Sequence, residues 1–156
     1  MKKVIGIYKD YYKVVELSSK KFDIIFNIGK YTISLDNFKY YEEMSDETLA
    51  FSADLLINGN NIGKCRNEGR GGCASYYITN TDLKSDISEI ENILRNTKSY
   101  CFSFNLSLYD VIDNIAYDKM LLESNNVKTT KKAQILFEHL KEEADYFKKL
   151  ATIHCN

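Results

Sequence analysis

The sequence predicts an α+β domain in which an antiparallel sheet from the N-terminal half carries two or three helices from the C-terminal half. Three observations lead to it. Short β-branched and aromatic runs fill residues 1–80. One of them alternates and ends in an Asn/Gly turn. From residue 86 onward the apolar positions fall at helical spacing instead. Strands first and helices later, with no internal repeat or linker, give one domain over 1–156, β-rich over 1–80 and mainly helical over 81–156.

Taken in order, VIGIY (4–8), YYKVVELS (11–18), FDIIFNI (22–28) and YTISL (31–35) read as strands of a meander, broken by KD, SSKK and GK. Residues 36–48, DNFKYYEEMSDET, are polar and acidic and read as a loop or a short helical turn. In LAFSADLLI (49–57) the alternation puts Phe51, Leu55 and Ile57 on one sheet face. Residues 58–61 turn the chain, 62–66 return as the partner strand, 67–72 form a glycine loop, and ASYYIT (74–79) resumes as a strand.

In the second half, Ile87, Ile90, Ile93 and Leu94 follow an Asp86 cap with Glu89 three residues on. Leu108, Val111, Ile112 and Ile115 follow Ser107 with Asp110 at the same offset. Residues 97–104, TKSYCFSF, read as a short strand between the two helices. From Thr130, the positions Ala133, Leu136, Phe137, Leu140, Ala144, Phe147 and Ala151 keep an i, i+3, i+4 rhythm with Lys and Glu opposite. NNVKTT (125–130) is the candidate hinge before this helix.

A net charge of -1 supplies no global field for nucleic acid or an anionic membrane. No apolar run approaches the roughly 20 residues of a membrane helix, and the first residues lack a signal-peptide pattern, so a cytoplasmic protein is expected. Four scattered cysteines are then expected to be reduced thiols. The bias towards Lys, Asn, Ile and Tyr, without Pro or Trp, suggests an AT-rich coding genome.

Function concentrates on NGNNIGKCRNEGRGGCASYY (58–77), which holds five of the seven glycines. Exposed N–H groups of RNEGRGGC would form an anion nest beside Lys64, Arg66 and Arg70. The phosphate-loop and dinucleotide spacings are both missing, so a tight crossing or bulge ranks first and ligand or partner contact second. The binding candidates are Lys64, Arg66, Asn67, Gly69, Arg70, Gly71, Gly72, Tyr76 and Tyr77. Each adjacent tyrosine pair, Tyr11–Tyr12, Tyr40–Tyr41 and Tyr76–Tyr77, must send one ring to each sheet face, which suits an interface.

Other chemistry ranks lower. Cys65 and Cys73 are separated by seven residues, and His154–Cys155 is a poor pair for one tetrahedral ion, so no metal or cofactor is expected. A cysteine nucleophile would need His139 or His154, neither placed for it by sequence, so no catalytic residue is assigned. Glu42, Glu43, Asp46 and Glu47 read first as a solvated loop and second as a mimic of phosphate charge towards a basic partner.

The run FSADLLINGNNIGKCRNEGRGGCASYY (51–77) resembles a pattern in small proteins of phages and other mobile elements: F-x-A-x-L, an N-G turn, an I-G return, then N-x-G-x-G-G and a tyrosine. LSLYDVIDNI (106–115) is similar to their L-x-x-V-I-D helix. The resemblance implies a mobile-element origin and no catalytic residue. In that company a small protein without catalytic motifs is expected to be a non-enzymatic inhibitor of a host defence nuclease complex, of the anti-CRISPR kind. Its expected partner is a host protein or ribonucleoprotein, ahead of direct nucleic-acid contact and with no membrane role. The alternative is a binder that sequesters a nucleotide or phosphate ligand in the glycine loop.

Overall fold

The computed structural model describes residues 3–18, 20–98 and 105–155, the last five by backbone alone. Within them, seven strands lie side by side in chain order: β1 (Lys3–Tyr8), β2 (Tyr12–Ser18), β3 (Lys21–Ile28), β4 (Tyr31–Tyr40), β5 (Phe51–Ile57), β6 (Asn60–Asn67) and β7 (Ser75–Ile78). Every neighbouring pair is antiparallel, so the sheet is the expected meander. Three helices follow: α1 (Lys84–Arg95), α2 (Leu108–Ser124) and α3 (Thr130–Cys155).

Alternation in the strands becomes a core through register. Tyr12 faces Phe26, Phe26 faces Ile33 and Ile33 faces Ile57, so four large side chains line up across four strands and all are buried. Each such burial is worth about 2 kcal/mol. Helix α2 covers β3 and β4, and α3 covers β1 and β2. The buried stripe of α3 is Ala133, Leu136, Leu140 and Ala144, with Phe137 half-buried above Gly6. Phe147, in the same predicted stripe, is exposed.

Polar contacts pin helices to strands. The Tyr8 hydroxyl donates to Asp118 Oδ2 at 2.5 Å, and Lys9 Nζ lies 3.3 Å from the same oxygen. Burial pushes the Asp118 carboxyl above its ordinary range, while Lys9 and Tyr8 pull it back. The Tyr31 hydroxyl donates to Glu89 at 2.5 Å and ties α1 to the start of β4.

Three expectations change. Residues 36–40 continue β4, pairing Lys39 with Ser52 and Tyr40 with Phe51, because a register shift after Asp36, with Asn37 at φ 49°, breaks the alternation that would have revealed a strand. A 3-10 turn at Glu42–Met44 then follows. The hairpin turn is two residues, Asn58 and Gly59, at φ 51° and 82°, so Asn60 and Asn61 already belong to β6. Asp86 lies inside the first turn of α1: a 3-10 turn, Thr81–Leu83, precedes the helix, and Asn80 accepts from Asp82 N there. At α2 the expected cap forms, Ser107 Oγ accepting from Asp110 N at 3.2 Å. The expected strand over 97–104 falls mostly on residues outside those described; Lys98 and Asn105 form an isolated antiparallel bridge at its ends.

Candidate functional site

The glycine loop after β6 is organised by one side chain. Asn67 is buried, and its Oδ1 accepts from Gly69 N at 2.8 Å and from Thr48 Oγ1 at 3.2 Å. Its Nδ2 donates to the Gly72 carbonyl at 3.1 Å and to Asp113 Oδ1 on α2 at 2.9 Å. Asp113 Oδ2 accepts from Ala74 N, and Thr48 Oγ1 accepts from Gly71 N. Backbone N–H groups of Asp46 and Glu47 donate to the Gly69 carbonyl. The loop is thus clamped between the acidic segment and α2. Burial pushes the Asp113 carboxyl above its ordinary range, against the opposing pull of Asn67 and Ala74.

This has a direct chemical consequence for the expected anion nest. The N–H groups of Gly69 and Gly71 donate to Asn67 and Thr48, so they point at the protein's own oxygens. Asn67→Ala should therefore destabilise the fold by about 2 kcal/mol, since it strands several partly buried polar groups at once. Urea denaturation checks this, and a loss below about 0.5 kcal/mol would remove Asn67 from the centre of the loop.

The sheet divides the remaining candidates. Across β5 to β7, Asp54 faces Lys64 and Lys64 faces Tyr77; in the next row Ser52 faces Arg66 and Arg66 faces Ser75. These side chains alternate with the buried Ala53 and Cys65 and so occupy the face turned away from the helices. Tyr76 sits on the helix side, donating to Glu91 on α1 at 2.8 Å, with its ring 5.1 Å from that of Tyr109. Burial and the Glu91 bond raise its hydroxyl above the ordinary tyrosine range. Tyr77 is 60% exposed on the other face. The tyrosine pair therefore splits as expected, and only Tyr77 shares a surface with Lys64 and Arg66.

Two concavities meet on this surface. A cleft of about 260 Å³ is lined by Arg66, Asn67, Arg70, Gly72 and Cys73, among others. A groove of about 360 Å³ runs beside it over Lys64 and Tyr77, and both share Arg66 and Ser75. The groove adds Asn37, Lys39, Ser52 and Asp54, none of them singled out from sequence as binding residues, and Tyr41, noted there only as one of a tyrosine pair. Lys39 and Tyr41 lay inside the segment read as a loop. The alternation in 49–57 had already set Ser52 and Asp54 apart from the core positions, and that was the available signal.

Asp54 is 5% exposed in the floor of this groove. It forms an ion pair with Lys64, and its other oxygen accepts from Asn37 Nδ2 at 2.7 Å. The Lys64 bond first and the Asn37 bond second hold the Asp54 carboxyl below its ordinary range, and Lys64 is raised in return. A lowered carboxylate stabilises the fold above its unfolded value and loses that contribution as pH falls through the folded value. Asp54→Asn should cost about 1 kcal/mol at neutral pH, a modest figure because Lys64 is half exposed. The gap to the wild-type protein should close as pH drops below about 4, which denaturation at several pH values measures.

Other candidate groups stay apart. Cys65 is buried in the core, where burial pushes its thiol up to about 12, and Cys73 is exposed. His139 is exposed on α3, 3.8 Å from Glu143. His154 and Cys155 have no described side chains, and Cys101 lies outside the described residues. Among the described residues no group of three or more His, Cys, Asp or Glu is placed to hold a metal ion. Nor is any described helix long and apolar enough to cross a membrane. Glu42, Asp46 and Glu47 line a separate groove of about 580 Å³ with Asp113 and Tyr117. No family model matches the chain, and no curated protein or solved structure matches it either.

Proposed function

We propose that this protein is a non-catalytic binding protein whose contact surface is the helix-free face of β4–β7 together with the rim of the glycine loop. One observation carries the reading: Tyr41, Tyr77, Lys39, Arg66 and Arg70 are exposed around two adjoining concavities, while the loop beneath them is fixed by its own hydrogen bonds. A rigid sheet presenting aromatic and guanidinium groups has the composition of an interface centre. The partner in this reading is a host protein or ribonucleoprotein in the cytoplasm. Its specific form, inhibition of a host defence nuclease complex, comes from the sequence resemblance alone. Sequestering of a phosphate by loop N–H groups fits less well, because those of Gly69 and Gly71 already have acceptors.

Affinity capture from nuclease-treated host lysate tests the reading. The wild-type protein should retain a partner in stoichiometric amount. Tyr77→Ala with Arg66→Ala should weaken that contact about 30-fold or more, as loss of an interface centre does. Equal capture by both proteins, or no partner at all, would count against it.

A further inference from the structure

The groove on the sheet face has a composition that narrows its ligand. Two tyrosine rings stand at its sides, Tyr41 beyond the end of β4 and Tyr77 on β7, and they are 41% and 60% exposed. Neither ring belongs to the buried core, so packing does not account for them. Tyr41 is held in place, its hydroxyl 3.2 Å from Ser52 Oγ. Lys39 and Arg66 face each other across Ser52 in one row of the sheet. Lys64, one row along, is engaged by Asp54, which leaves Lys39 and Arg66 as the cations available to an incoming anion. Arg66 has Glu68 at 3.8 Å, but both are 67% exposed and that pair is solvent-screened.

The lining between the rings mixes the polar groups of Ser52, Ser75, Asn37 and Asp54 with Ala53 and Cys65. Exposed tyrosine rings beside hydroxyl, amide and carboxylate groups, with two cations in the next row, match an aromatic base joined to a phosphate. We infer that the groove on the helix-free face binds a nucleotide unit, with Tyr77 contacting the base and Lys39 and Arg66 the phosphate. The inference rests on the same face being the binding surface and names the chemistry it takes. Free nucleotide and a single strand share that chemistry.

Fluorescence anisotropy with a labelled ten-residue oligo(U) and a labelled ten-residue oligo(dT), each competed with UMP and AMP, tests it and separates the two sources. At 50 mM salt, binding with a Kd below ~100 μM is expected, weakening about 2.5-fold at 200 mM for the one phosphate held. Tyr77→Ala should weaken binding about tenfold while Tyr77→Phe retains it, and Arg66→Ala should flatten the salt dependence. The exposed position of Tyr77 lets its variants keep the wild-type urea midpoint, so a loss of binding reports contact. Competition by UMP or AMP at strand-like concentrations assigns the site to free nucleotide; competition by strands alone assigns it to a strand. Absence of binding to every nucleotide probe would overturn the inference, as would binding that Tyr77→Ala and Arg66→Ala leave unchanged, or binding only to a labelled poly-Glu peptide. If a lysate partner is captured through Tyr77 while no nucleotide binds, the proposed function stands and this inference falls. Nucleotide binding without a captured partner has the opposite meaning.

Discussion

Replacing Gly63 with alanine should lower stability by about 3 kcal/mol and loosen β7. A Cβ on Gly63 would lie inside contact distance of the Tyr77 carbonyl oxygen and 3.0 Å from Ile78 Cα, both backbone atoms that no rotamer change can move. The close approach arises at a bulge: Leu55 faces Gly63 while Leu56 faces Asn61, so Ile62 is the extra residue and turns its side chain into the core. Beyond it β7 is a four-residue edge strand that, among the described residues, pairs only with β6. Relief of the clash must separate that pair, and Tyr77 leaves the groove with it. Hydrogen exchange should show lost protection at β7 amides along with the lower urea midpoint. Gly59→Ala is the matched control. Its φ of 82° disfavours alanine, but among the described residues nothing lies within 4 Å of the added Cβ, so about 1 kcal/mol is expected. If Gly63→Ala costs no more than Gly59→Ala, the cross-strand approach is not what requires glycine at 63.

The two positions show what the sequence could and could not reveal. Gly59 was legible because Asn-Gly between alternating strands is a local signal, written in residues that touch each other along the chain. Gly63 has the same look, but its cause is a carbonyl 14 residues away, which register alone brings near. The same division holds for the elements. Strands with clean alternation and the Ser107 cap were readable; the end of β4 was hidden by one irregular residue pair, and with it Lys39 and Tyr41. Asp113 was invisible as a loop ligand, because nothing in LSLYDVIDNI marks which helix face meets Asn67. Tyr76 and Tyr77 were separable in principle by parity, but which of them faces the helices depends on tertiary packing.

Gly69→Ala should be nearly as damaging as Gly63→Ala, at about 3 kcal/mol, and for two independent reasons. Gly69 sits at φ 83°, which costs a side-chain-bearing residue about 1–2 kcal/mol. Its Cβ would also press on the Met44 carbonyl oxygen and lie 2.9 Å from Ala50 Cβ. The carbonyl of Gly69 meanwhile accepts from Asp46 and Glu47, so the loop cannot back away without releasing the acidic segment. Gly72 provides the contrast: it is not in the left-handed region and has no described neighbour within 4 Å of a Cβ, so Gly72→Ala should change stability by less than about 0.5 kcal/mol. Comparing the two separates the loop's framework from its surface. Glycine at 69 holds the acidic segment against the sheet, whereas 72 lies in the cleft beside Arg66 and Arg70, where an added methyl would meet a partner before it met the protein. In urea denaturation the expected order is Gly69→Ala far below wild type and Gly72→Ala beside it. Partner capture should show Gly72→Ala weakened despite its intact fold. A stable Gly69→Ala protein would mean that the loop can undock at little cost, and that its hydrogen bonds to Asn67 and Thr48 do not close off the N–H groups after all.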